Sequence, residues 1–124
     1  MKMLIVDDSK AMRSFLQHIA GELSFKTEEA EDGRAGLHKL IKNDPSEPFD
    51  VALVDWDMPV MNGLELVQTL RRNQDFSAVK LMMVTTQNTP ERVMAALEAG
   101  ADDFLMKPVT KESLEEKLKI LGVV

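Results

Sequence analysis

The sequence predicts a doubly wound α/β domain, with five parallel strands in one sheet and helices on both faces. Three observations predict it. Short apolar runs alternate with amphipathic helical stretches in the order βαβαβαβαβα, a pattern that yields a parallel sheet layered by helices. The strands begin roughly every 22–30 residues, the length of one βα unit. One run, Val51-Ala-Leu-Val54, is apolar at every position, as suits a central strand buried on both faces.

Each element has its own signal. Met3–Val6 is a short apolar run stopped by Asp7 and Asp8. Ser9 then caps a helix in which Met12, Phe15, Leu16, Ile19, Ala20 and Leu23 recur at helical spacing. Phe25–Ala30 is partly polar and is read as an edge strand. Asp32-Gly33 turns into a helix whose inward positions are Leu37, Leu40 and Ile41. Asn43–Phe49, with Pro45 and Pro48, is a loop. The Val51 strand runs into Asp55, and Pro59 forbids its continuation. Asn62-Gly63 opens a helix carrying Leu64, Val67 and Leu70. Lys80–Val84 is another apolar strand, ending in Thr85-Thr86. Thr89 caps the next helix, with Pro90 at its first position, and Val93, Ala96 and Leu97 lead to Gly100. Asp103–Met106 is a short strand ending in Lys107-Pro108, and Thr110 caps a last helix with Leu114, Leu118 and Leu121.

The bulk numbers narrow the function classes. At 124 residues, the stretch 1–124 is one domain with enough chain for a core, and it shows no linker or low-complexity tract. With 44% hydrophobic and 29% charged residues it is neither disordered nor membranous by balance. The lack of cysteine removes disulfides, thiolate metal sites and thiol nucleophiles, and fits a cytoplasmic location. No apolar run approaches the roughly 20 residues of a membrane span, and Asp7-Asp8 interrupts the start that resembles a signal peptide. A net charge of −6 argues against nucleic acid as a partner. Arg71-Arg72, the one basic doublet, is read as a solvated helix end, and Trp56 as an exposed reporter near the site. His18 and His38 lack metal-ligand spacing; the nine methionines are core filler, with Met94 assigned to an output surface.

Nothing in a buried strand requires an acid at its end. In open α/β sheets, however, ligands bind beyond the carboxyl ends of the strands, which is where Asp55 falls. Parallel strands share one C-terminal edge, so Asp7 and Asp8, Asp55, Thr85 and Lys107 converge there. Two like charges about 4 Å apart cost around 4 kcal/mol at an effective dielectric near 20. Three carboxylates against one lysine therefore call for a hard divalent cation, and Mg²⁺ takes such oxygen ligands together with waters and phosphate oxygens. A metal, an ammonium and a hydroxyl around one carboxylate describe a phosphoryl site in which that carboxylate is the nucleophile.

These residues resemble the response-regulator receiver domain over essentially the whole chain, and most closely its single-domain chemotaxis (CheY-like) type. The resemblance rests on Leu4-Ile-Val-Asp-Asp8, Asp55-Trp-Asp-Met-Pro59 with Asn62-Gly63, Val84-Thr85 and Lys107-Pro108, in that order. It implies the (βα)5 flavodoxin-like fold and a stand-alone regulator in a two-component phosphorelay. Asp55 would accept phosphate from a sensor histidine kinase or phosphotransfer protein. Asp8, Asp55 and the backbone carbonyl of Asp57 would hold Mg²⁺, with Asp7 acting through a metal-bound water. Thr85 and Lys107 would bind phosphoryl oxygens. Thr85 would then swing inward and Phe104 rotate, changing the face of the fourth helix, last strand and last helix toward a downstream target protein. The resemblance implies a cytoplasmic monomer that is no enzyme beyond its own phosphotransfer and autodephosphorylation. Phe104 stands where chemotaxis members usually have tyrosine, Thr86 is bulkier than the small residue common there, and Asp57 and Gln87 occupy positions that tune acyl-phosphate hydrolysis.

Two other functions are compatible with the same residues. Asp55-Trp-Asp57 also imitates the DxD motif of Mg²⁺-dependent phosphatases, in which the second acid protonates the leaving group. A non-phosphorylated adaptor on the same fold is the third.

Overall fold

In the computed structural model, which describes residues 1–124, five strands form one parallel sheet in the order β2-β1-β3-β4-β5. The strands are β1 (Lys2–Val6), β2 (Lys26–Ala30), β3 (Val51–Asp55), β4 (Lys80–Thr85) and β5 (Asp103–Met106). The helices are α1 (Lys10–Glu22), α2 (Gly33–Ile41), α3 (Gly63–Arg71), α4 (Pro90–Ala99) and α5 (Lys111–Ile120), with a 3₁₀ turn at Gln74–Phe76. As expected, β2 is an edge strand; β5 is the other.

Strand alternation divides the core into two layers. Leu4, Val6, Ala52, Val54, Leu81 and Met83 pack with Leu40, Leu66, Val67, Leu70 and Ala96 of α2, α3 and α4. Met3, Ile5, Val51, Leu53, Met82, Val84 and Leu105 pack on the other face with Leu16, Ile19, Leu114 and Leu118 of α1 and α5. All five helices start at side-chain caps: Ser9, Asp32, Asn62, Thr89 and Thr110 each accept a backbone N–H of the first turn. Gly100 ends α4 in the left-handed region at φ 108°, which a side chain would strain. No helix is long and apolar enough to cross a membrane.

Several expectations about single residues fail. Ile41, Phe15 and Leu97 are exposed, because each lies at the margin of its helix's apolar stripe rather than under it. Leu66, which the helical pattern passed over, is fully buried. Arg71 is no solvated helix end: its guanidinium donates to the carbonyls of Gly100, Phe76 and Val79 and to Asp102. It ties α3 to the segments that lead into β4 and β5.

Candidate functional site

Strand register decides which side chains meet at the C-terminal rim. Val6 pairs with Val54, which sets Asp7 level with Asp55. Asp55 pairs with Val84, and Thr85 with Met106, so Lys107 follows at the end of the neighbouring strand. Gly63 fixes the far side of the Asp55 strand end, since a Cβ there would strike the Asp55 carbonyl oxygen. Its own N–H donates to the Trp56 carbonyl at 2.9 Å.

The result is a tight acidic cluster. Carboxylate oxygens of Asp7, Asp8 and Asp55 lie within 4.8 Å of one another. Asp7 and Asp55 are buried and Asp8 is exposed, so the cluster opens to solvent on the Asp8 side. Lys107 Nζ donates to Asp55 Oδ1 at 3.1 Å and stands 3.6 Å from Asp7 Oδ2. Asp7 Oδ1 accepts from the Ser9 N–H at 2.8 Å, whereas its Oδ2 is buried and accepts no hydrogen bond. Arg13 of α1 steadies this strand end by donating to the Asp7 carbonyl at 2.7 Å while it pairs with Glu29.

Charge follows from that geometry. Burial, reinforced by the Asp7 charge and to a lesser degree by Asp8, pushes the Asp55 carboxyl up to about 6, against the pull of Lys107. For Lys107, burial disfavours the ammonium, but the hydrogen bond and charge of Asp55 and the charge of Asp7 outweigh it and raise its pKa. One ammonium faces three carboxylates. The donor set is all oxygen, and the buried Asp7 Oδ2 accepts no hydrogen bond; both features fit a hard cation such as Mg²⁺, to which Asp7, Asp8 and Asp55 would be ligands or ligand neighbours.

The other expected positions lie outside the carboxylate cluster. The Asp57 carbonyl accepts no backbone hydrogen bond, while its carboxylate turns to Arg92 of α4 at 3.3 Å. Thr85 is buried at the end of β4, and its hydroxyl is engaged with the Gln87 backbone, accepting from the N–H at 3.1 Å. Phe104 is half-buried against the α3–α4 layer, with Lys117 Nζ 5.0 Å from its ring centroid. Thr86 and Gln87 are exposed. Trp56 is not exposed, contrary to expectation: it is 8% exposed, packed in the α2–α4 layer with the Arg92 guanidinium over its ring, 4.4 Å from the centroid. Arg92 and Arg13 are the residues that sequence reasoning missed. Arg92 did carry a signal, a cation in the first turn of a helix where the dipole disfavours it. Arg13 carried none beyond its place on α1.

Comparison with known proteins identifies the family. The family model described as response regulator receiver domain matches residues 3–119. The chain is 37% identical over 121 residues to the chemotaxis protein CheY1 of Helicobacter pylori, covering 98% of this chain and 96% of that protein. It is 36% identical to the chemotaxis protein CheY-3 of Vibrio cholerae, covering 95% and 88% respectively. Among solved structures, the chemotaxis response regulator CheY4 of Vibrio cholerae superposes with a TM-score of 0.87 at 34% identity, covering 97% of each chain.

Proposed function

The chain belongs to the response regulator receiver domain family, a two-component response regulator, and from that premise we propose that Asp55 is its phosphoacceptor. The observation that carries the proposal is the cluster itself: three carboxylates within 4.8 Å of one another, with an ammonium 3.1 Å from the central one. The Asp55 oxygen attacks the phosphorus of a phosphohistidine on a sensor kinase or phosphotransfer protein. A P–O bond forms as the P–N bond breaks, and the imidazole nitrogen leaves with the bonding pair. Asp55, near pKa 6, is mostly ionised and nucleophilic at neutral pH. Lys107 orients it and meets the charge on the incoming oxygens. Asp7, Asp8, Asp55 and the Asp57 carbonyl are the groups that would hold Mg²⁺, which would supply the remaining counter-charge.

Output follows from a change in Thr85. Its register places it on the same sheet face as Phe104, the face covered by α3 and α4. Turning its hydroxyl from Gln87 to a phosphoryl oxygen frees space beside Phe104 and alters the α4-β5-α5 surface, on which Met94 and Leu97 are exposed. Phosphorylation shifts that equilibrium only by its preference for the active form. The target is a protein, and the likeness to chemotaxis proteins supports a role in that pathway within the cytoplasm. Residues 1–124 act as one receiver module, an enzyme only toward its own acyl phosphate. A DxD phosphatase is disfavoured because the Asp57 carboxylate that would be its acid is turned to Arg92.

The test uses beryllium fluoride, which mimics the acyl phosphate, with saturating Mg²⁺. Trp56 fluorescence, reported from beneath Arg92, is expected to change in the wild type and not in Asp55→Asn. An unresponsive wild type defeats the phosphoacceptor assignment.

A further inference from the structure

Arg92 occupies an unfavourable place for an arginine. It is the third residue of α4, so its charge faces the positive end of the helix dipole. Its Nη1 is buried without a hydrogen-bond partner. Two contacts hold it there: Nη2 stands 3.3 Å from Asp57 Oδ1, and the guanidinium covers the Trp56 ring at 4.4 Å. Local conflicts of this kind mark positions kept for a task rather than for stability.

The task follows from what Arg92 restrains. Asp57 lies two residues beyond Asp55, on the loop that rims the acidic cluster, and its side chain is two-thirds exposed. Released from Arg92, that carboxylate, two residues from Asp55, would be free to turn toward the Asp7–Asp8–Asp55 cluster as a fourth acid. More carboxylate ligands favour Ca²⁺, which accepts six to eight oxygens in loose geometry, over Mg²⁺, which demands a small octahedral shell and keeps waters. We infer that Arg92 is a positioning and specificity-determining residue for the cation: clasping Asp57 against Trp56, it keeps a fourth carboxylate out of the metal shell and holds the site selective for Mg²⁺ over Ca²⁺. This rests on the cation reading of the Asp7–Asp8–Asp55 cluster.

The experiment measures Mg²⁺ and Ca²⁺ binding separately by calorimetry, in the full chain without phosphodonor. Arg92→Ala is expected to tighten Mg²⁺ by about threefold through the uncompensated charge, and Ca²⁺ by about tenfold or more through the added ligand. In the Asp57→Asn background the same change should leave the Ca²⁺/Mg²⁺ ratio unaltered, because no carboxylate is left to enter. In metal-free protein, Arg92→Ala and Asp57→Asn should each shift Trp56 emission, and the double variant no further. Equal tightening of both ions, or none, overturns the role of Arg92 while leaving the phosphoacceptor assignment standing. A wild type that binds neither ion at millimolar concentration overturns the cation site and this inference together. Circular dichroism of each variant separates these outcomes from loss of fold.

Discussion

Asp55 is a carboxylate whose surroundings resist its charge. Its folded-state value of about 6 lies above the ordinary aspartate value near 3.8, and the cause is burial joined to Asp7. Between those values the native state binds more protons than the unfolded chain, so this group makes stability fall as pH rises through the interval, then level off. Asp55→Asn removes the effect. In metal-free buffer the variant should therefore gain on the wild type as pH rises from about 4 to 7, by roughly 2 kcal/mol, read from urea midpoints. A difference that is flat across that range contradicts the raised value. At this scale the sequence was legible for the acids and for Lys107, whose positions follow from strand ends alone. It was not legible for Trp56, because its cover comes from the α2–α4 layer and from Arg92, a side chain on a helix distant in sequence. Nor could it reveal that the Thr85 hydroxyl rests on Gln87, a local turn bond that only coordinates display.

Elements carry the site because their ends are fixed. The cap at Asn62 and the capping-box Glu65 start α3 at Gly63, where the helix backbone comes against the end of β3. Gly63→Ala would drive a methyl group into the Asp55 carbonyl. It is expected to cost roughly 1–3 kcal/mol of stability, as overpacking does, and to weaken Mg²⁺ binding by displacing the acceptor. Chemical denaturation and calorimetry check the two effects, and wild-type Mg²⁺ affinity in the variant would show that the strand end does not depend on this approach. Cap residues and glycines were readable from sequence and give all five helix starts correctly. Helix faces were read less well. Ile41, Phe15 and Leu97 are apolar residues at stripe margins, and periodicity alone does not say how wide a stripe the sheet will cover. Arg71 was misjudged for a related reason, since its partners come from the segments that lead into β4 and β5.

Over the whole molecule the sheet isolates two apolar layers from each other. Ile5 belongs to the layer under α1 and α5, and Leu66 to the layer under α2, α3 and α4. Ile5→Val should cost about 0.5–1.5 kcal/mol and Leu66→Ala about 2–5 kcal/mol. Because no packing is shared across the sheet, the double variant should match their sum to within about 0.5 kcal/mol in denaturant melts. Strong coupling would mean that the layers are not independent. The fold at this scale was the most legible level, as the βα alternation and both-faces-apolar β3 leave few topologies. The strand order, with β1 beside β3, is not dictated by that alternation.

The sheet leaves two flanks open, at β2 and β5. Each presents backbone donors and acceptors that another chain could template upon. Three of the five residues of β2, Lys26, Glu28 and Glu29, are charged, and Glu28 and Glu29 are anchored by Lys2, Lys39 and Arg13. β5 is only four residues long, and Lys117 braces its Asp103. An approaching strand would have to strip water from these ions before forming a single ladder bond. The same charges that make β2 a weak strand thus guard the protein against fibrillar growth.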